Sequence, residues 1–221
     1  MAAVRRHGDA MSHEAIEFTQ EFWDNRYSSA GQLWSGQPNA QFAAHAADLD
    51  PGEALDAGCG EGADAIWLAR RGWAVTAVDV SAVALERAAA AARAAGGDVA
   101  GRISWRREDL LTWVPEPDRY DLVSAQFMHF PRAQLTAFHQ RLAAAVRPGG
   151  TLLLIAHHPD DLHAARNGHP DLFWYAEDIA SSLEPGQWEV RVAEASGRSA
   201  IDHDGQPVTV RDTVLRAARR R

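Results

Sequence analysis

From residue 53 onward, short runs of apolar, β-favouring residues alternate with stretches whose apolar positions recur at helical spacing. The runs EALDAG (53–58), WAVTAVDV (73–80), RISWRRE (102–108), YDLVSAQF (120–127) and GTLLLIAHH (150–158) predict strands. Between them, GADAIWLARRG predicts a helix built on Ile66, Leu68 and Ala69 that stops at Gly72. SAVALERAAAAARAAGG predicts a second, with Ser81 as N-cap and a glycine pair as its stop. PRAQLTAFHQRLAAAVRPGG predicts a third, with Pro131 near its start and Leu135, Phe138 and Leu142 on one face. Strands and helices in this alternation build a mainly parallel sheet covered on both faces. After residue 158 the pattern changes to one helix, AEDIASSL (176–183), and two strands, WEVRVAEAS and VTVRDTVLRA, joined by a turn-rich stretch with Asp204 and Gly205. So short a connection forces antiparallel pairing, because a parallel return needs a crossover of about a dozen residues. The expected fold is α/β: a doubly wound, mostly parallel seven-stranded sheet with an antiparallel C-terminal hairpin. HEAIEFTQEFWDNRY and NAQFAAHAADL predict helices on either side of the loop LWSGQPN. The organisation expected is therefore a helical N-terminal lid segment, 1–50, ahead of one domain, 51–221.

Composition narrows the chemistry. The balance of 22 basic against 30 acidic residues gives a formal charge of −8 without an internal basic cluster, which argues against nucleic acid as substrate. Every basic residue is arginine. Without lysine there is no Schiff-base chemistry, no lysine general base and no P-loop lysine. The single cysteine, Cys59, excludes an internal disulfide framework and fits a reducing, cytoplasmic setting. No apolar stretch reaches the roughly 18 residues of a membrane helix, and MAAVRRHGDAMSHE lacks the apolar centre of a secretory signal.

The chemistry-bearing motif is EALDAGCGEGAD, where a strand ends in an aspartate and runs through alternating glycines into a helix. Such a turn lets a ligand approach the main chain and the helix N-terminus. Gly58, Gly60 and Ala63 satisfy the G-x-G-x-x-G/A dinucleotide fingerprint, and Asp79, ending the second strand, stands at the spacing of a ribose-binding acid. Four features turn the reading elsewhere. Gly62 makes the turn G-x-G-x-G, with Asp56 two residues before its first glycine. The sheet closes with a hairpin where a dehydrogenase would continue into a second domain. Asp109 in REDLL falls just past the third strand. RPGG supplies a tight turn before the fifth.

These residues resemble the class I S-adenosylmethionine-dependent methyltransferases over roughly residues 50 to 218. The resemblance implies that the turn carrying Asp56, Gly58, Cys59 and Gly60 runs beside the methionyl part of S-adenosyl-L-methionine. It implies that Asp79, with Val80 beside it, takes the ribose hydroxyls, and that Asp109, with Leu110, binds the adenine amino group. Gln126 to Phe130 would line the cofactor and acceptor pocket. The segment FWDNRYSSAGQLWSGQPN is similar to that of the thiopurine and tellurite-resistance methyltransferases, where it folds over the cofactor. The acceptor expected is therefore a small molecule.

Displacement at a sulfonium requires alignment and exclusion of water, and a base only where the acceptor must lose a proton. His129, in QFMHF, is the candidate catalytic base, with His157 and His158 behind it; all three fall where open α/β sheets bind ligands. HHPDDLH, with His157, His158, Asp160, Asp161 and His163, has the donor types of a metal site but reads more simply as a polar loop, so no metal is expected. Arg26 offers a bidentate fork to the cofactor carboxylate. Trp34, in a loop without a helix face to bury, offers an aromatic face to the sulfonium. Trp23, at helical spacing, reads as a docking residue, and Cys59 as a small side chain in a crowded turn. Two other functions stay open on these residues: a nicotinamide-dependent oxidoreductase using the same turn, and a non-catalytic cofactor-binding module.

Overall fold

The structure is a computed structural model and describes residues 19–29, 31–161, 172–201 and 206–221. A seven-stranded sheet forms its centre: β1 (Glu53–Ala57), β2 (Ala74–Asp79), β3 (Ile103–Arg107), β4 (Tyr120–Gln126), β5 (Val146–His157), β6 (Trp188–Ile201) and β7 (Pro207–Arg219). Its order is β3-β2-β1-β4-β5-β7-β6. The first five strands run parallel, and β7 pairs antiparallel with both β5 and β6. The expected seven-stranded sheet with its antiparallel hairpin is the sheet observed. Strand β5 starts earlier than the sequence indicated: Tyr120 pairs with Val146 and Leu122 with Thr151, so RPGG is looped out within the strand, with Gly149 at φ +88°.

The near-continuous apolar runs follow from burial on both faces. Along β5, Leu152, Leu154 and Ala156 enter one core while Leu153 and Ile155 enter the other. The first core is covered by α6 (Arg132–Ala145), through Leu135, Phe138 and Leu142, and by α7 (Ala176–Ser182), through Ile179. The second is covered by α2 (Ala40–Ala46), α3 (Ala63–Arg70) and α4 (Ala82–Ala95), through Phe42, Leu68 and Ala92. Trp73, fully buried, belongs to this second core, and the partly buried Trp67 packs against it. A short helix, α5 (Gly97–Ala100), leads into β3. Because β1 lies between β2 and β4, with covering helices on opposite faces, the chain direction divides there. In open α/β sheets the ligand position at such a switch point is beyond the carboxyl ends of the two strands, here β1 and β4.

The N-terminal residues described include α1 (Gln20–Ser28), capped by Thr19, whose side chain accepts from the Phe22 amide. Asn39 caps α2 in the same way, accepting from Phe42. Helix α1 lies against α4, where Ser81 Oγ donates to Asp24 at 2.6 Å. Helix α2 reaches the far edge of the sheet, where Gln41 Nε2 donates to Ser196 Oγ at 2.8 Å. These contacts tie the segment carrying α1 and α2 to α4 on one side and to β6 on the other.

Candidate active site

The turn after β1 is held in shape by its backbone. The amides of Gly58 and Cys59 both donate to the Val78 carbonyl, at 2.8 and 3.0 Å, and Gly62 N donates to Cys59 O at 2.8 Å. Gly58, Gly60 and Gly62 have φ of +78°, +52° and +82°, a region that disfavours any side chain. Space excludes a Cβ as well: one on Gly58 would collide with Met128 Sδ, and one on Gly62 would come within 2.7 Å of Trp105.

Asp79 is the polar centre of this turn. Its two carboxylate oxygens accept from Gly60 N at 2.8 Å and Ser81 N at 2.9 Å. Burial raises its pKa, and these amide hydrogen bonds oppose the rise. Asp56, on the side of the sheet facing α3, is buried, and neither carboxylate oxygen has a hydrogen-bond partner among the described residues. Burial, then the charges of Asp64 and Asp79, push its pKa well up. Asp64, in the first turn of α3, accepts from Asn39 N at 2.7 Å and is raised by burial to about 6. Cys59 is half-buried and its thiol is pushed well up, chiefly by burial, which removes thiolate character.

The other expected residues take varied positions. Val80 lies just past Asp79, its carbonyl accepting from Arg107 Nε at 3.3 Å. Asp109 is exposed and closes a short turn, its Oδ1 accepting from Leu111 N at 2.9 Å. The Leu110 side chain enters the first core, while its carbonyl accepts from Arg141. Gln126, at the end of β4, has a buried Nε2 without a partner among the described residues. Phe127 follows with φ +52°, an uncommon conformation for a residue with a side chain, and turns the chain sharply out of the strand. His129 stacks on His157 at 5.8 Å and meets Phe173 edge-on. Burial, reinforced by His157, lowers its pKa to about 4.

Above the turn, a Cβ on Gly60 would meet Tyr27 Oη at 2.9 Å and Trp34 Nε1 at 3.4 Å. Trp34 Nε1 donates to Tyr27 Oη at 3.1 Å. Trp34 is half exposed and Tyr27 is buried. Tyr27, whose helical spacing in the sequence fits a docking face as well as an aromatic cover, stands in the candidate site beside Trp34. Trp23 is partly buried and lies against Tyr27. Arg26 is exposed and forms no ion pair among the described residues. Glu61 was not anticipated. Its carboxylate accepts from the amides of Leu33 and Trp34, at 3.1 and 3.0 Å, and pairs with Arg87 at 3.1 Å. The acid inside the glycine turn thereby fastens the loop at Leu33 and Trp34 to it. In HHPDDLH, Asp161 accepts from Arg211 N at 2.6 Å and His158 Nδ1 accepts from Asp160 N at 3.2 Å; His163 lies outside the described residues. Among the described residues no group of His, Cys, Asp and Glu is arranged to hold a metal ion.

Comparison with known proteins agrees with this geometry. Residues 54–150 match the family model of the methyltransferase domain. Over 117 residues the chain is 37% identical to ribosomal RNA small subunit methyltransferase C of Alcanivorax borkumensis, covering 48% of this chain and 32% of that protein. Over 153 residues it is 28% identical to probable thiol methyltransferase 2 of Arabidopsis thaliana, covering 67% and 65%. The chain thus spans less than two thirds of each of these relatives. A solved structure from work on the conversion of a disulfide bond into a thioacetal group during echinomycin biosynthesis superposes with a TM-score of 0.72 at 24% identity, covering 91% of both chains. The glycine turn is therefore read with a sulfonium cofactor and not with a nicotinamide: residues 54–150 carry the methyltransferase domain, on the fold that this chain shares with the solved structure.

Proposed function

We propose that this protein transfers the methyl group of S-adenosylmethionine to a small-molecule acceptor by in-line displacement. The observation that carries the reading is the cradle itself: three glycines in left-handed conformations beside the buried carboxylate of Asp79, roofed by Tyr27 and Trp34. Such a cradle fits the cofactor. The Gly58 to Gly60 backbone would flank its methionyl part, Asp79 its ribose, and Asp109 with Leu110 its adenine. The partnerless Gln126 Nε2 is a donor still to be satisfied at the strand end. When bound, the cofactor supplies an electrophilic methyl on a sulfonium whose charge disappears on transfer.

The chain's own part is to position and to dry the site. Trp34 and Tyr27 present aromatic surface, which attracts a cation by about 0.5 to 2 kcal/mol. Arg26, exposed and adjoining Tyr27, is proposed to meet the carboxylate end. His129, half-buried and held neutral above about pH 4, is proposed as a wall of the acceptor site. The aromatic surroundings of that wall, Phe127 and Phe173, suit a partly apolar acceptor. Two comparisons favour sulfur as its reacting atom: the relative named as a thiol methyltransferase and the structural neighbour concerned with a thioacetal. Residues 1–50 are proposed to act as the lid, and the site as complete within one chain.

Calorimetric titration with S-adenosylmethionine tests the reading. The parent protein is expected to bind it. Asp79→Ala, which loses a carboxylate facing the proposed ribose, is expected to bind at least tenfold more weakly. Mass-spectrometric detection of methylated product from a panel of thiols, phenols and amines separates an enzyme from a binding module. Absence of binding by the parent protein would end the proposal.

A further inference from the structure

We infer that His157, positioned by Asp212, is the group that takes the proton from the acceptor, so that the substrate class is one whose reacting atom carries a removable proton, such as a thiol. This inference rests on the methyl-transfer reading above and specifies its chemistry. Strand register creates the pair. His157 is the last residue of β5 and lies directly opposite Asp212 in the antiparallel β5/β7 ladder, so the two side chains leave the sheet on one face. The imidazole Nδ1 is 3.6 Å from Asp212 Oδ1.

Asp212 is fully buried. Its other oxygen, Oδ2, accepts from Arg198 Nε at 2.5 Å across the β6/β7 hairpin. Oδ1 has no hydrogen-bond partner among the described residues. A carboxylate kept only to clamp the hairpin would be better served by a bidentate arginine fork. A buried oxygen left unmatched is destabilising, and the imidazole N–H is a donor within reach once the pair closes by a few tenths of an ångström. Hydrogen bonds of this kind commonly lie long before substrate binds.

The rest of the environment turns the pair toward the glycine turn. Phe127 lies tilted against His157 at 4.6 Å and His129 stacks on it at 5.8 Å, and between those two residues lies Met128, which packs on Gly58. Contacts thus run from the cofactor cradle to His157 through one short segment. Among the described residues, the ionisable groups placed around His157 include His129 after β4, Asp212 on β7, and Arg198 on β6 acting through Asp212. Phe173 contributes an apolar wall. Of the two stacked histidines, His157 is the one that faces a carboxylate among the described residues. His129 is the one whose protonated form burial suppresses, which suits a wall better than a proton acceptor. With Nδ1–H directed at Asp212, the proton leaves the acceptor for Nε2. The electron pair it leaves behind stays on the acceptor atom and forms the bond to the incoming methyl carbon, whose bond to the sulfonium sulfur breaks onto that sulfur. The imidazolium then loses the proton to water, which restores the base.

Nitrogen-15 NMR of the imidazoles reads the arrangement without cofactor or acceptor. His157 is expected as the Nδ1–H tautomer in the parent protein at alkaline pH, and Asp212→Asn is expected to move it toward Nε2–H. In turnover, His157→Gln is expected to lose about 10²- to 10⁴-fold in kcat with an alkanethiol. It is expected to lose less than tenfold with an arylthiol already ionised at the assay pH, and its calorimetric affinity for S-adenosylmethionine is expected to be unchanged. His129→Gln is expected to change KM more than kcat. An Nε2–H tautomer in the parent, or equal losses with both thiols, would overturn the inference. Failure of the parent to bind the cofactor would overturn the broader reading instead, while the tautomer result would still stand or fall by itself.

Discussion

At the scale of single residues, the site carries an electrostatic cost that its own hydrogen bonds offset only in part. Asp56 and Asp64 are two carboxylates next to the first turn of α3, both pushed up by burial, Asp64 to about 6. For a carboxyl raised above its unfolded value near 3.8, the folded state holds the proton more tightly. Stability from this group is therefore greatest below pH 3.8, falls as pH rises toward 6, and stays low above it. Asp64→Asn removes the charge but keeps an oxygen for the Asn39 amide. Relative to the parent protein, this variant is expected to be more stable at pH 8, by up to about 3 kcal/mol before discounting for its partial exposure. No advantage is expected near pH 4. Denaturant melts of both proteins at the two pH values check it, and an equal difference at both would place the effect outside titration. Asp56 and Asp79 were legible in the sequence because a carboxylate ending a strand at a glycine turn is a local pattern. The coupling of Asp56 to Asp64 was not, since it depends on how α3 sits against β1.

At the scale of elements, Glu61 holds the loop at Leu33 and Trp34 against the glycine turn. One carboxylate receives two amides of the lid loop and the Arg87 guanidinium from α4, and its side chain is only 10% exposed. A carboxylate matched by three donors is well satisfied. Its loss leaves the amides of Leu33 and Trp34 to water and frees the loop. Glu61→Ala is expected to open the segment around Trp34. Proteolytic cleavage between residues 30 and 38 should rise about tenfold or more, S-adenosylmethionine should bind more weakly, and the global melting temperature should fall by only a few degrees. Limited proteolysis with and without cofactor measures this. A parent-like cleavage rate would show that Tyr27 and the α1/α4 contact hold the lid without Glu61. In sequence, the role of Glu61 was not legible, because the loop groups it holds are 27 and 28 residues upstream and are backbone amides, which leave no trace in residue type. Trp34, by contrast, was identifiable: an aromatic in a glycine-containing loop has no helix face to bury.

At the scale of the whole molecule, the strands and helices were legible because burial on both faces writes near-continuous apolar runs, and the hairpin because its connection is short. Strand order is fixed by contacts that are not local in sequence. That is why the His157 and Asp212 pair, 55 positions apart, emerged only from the β5/β7 register. Overall charge bears on the acceptor. A chain at −8 meets a polyanion with net repulsion, whereas binding a small apolar thiol involves few ions. If the acceptor is a small molecule, kcat/KM measured with a thiol is expected to change less than threefold between 50 and 200 mM salt. An RNA acceptor held by several phosphate contacts would lose about 10³-fold or more over that range. The relative that acts on ribosomal RNA makes the comparison pointed, since this chain spans 32% of it. Small-subunit ribosomal RNA offered beside the thiol panel, at low salt where its binding would be strongest, is expected to remain unmethylated. A labelled RNA product under those conditions would move the acceptor from a small molecule to a nucleic acid, while leaving the cofactor cradle and its roof as described.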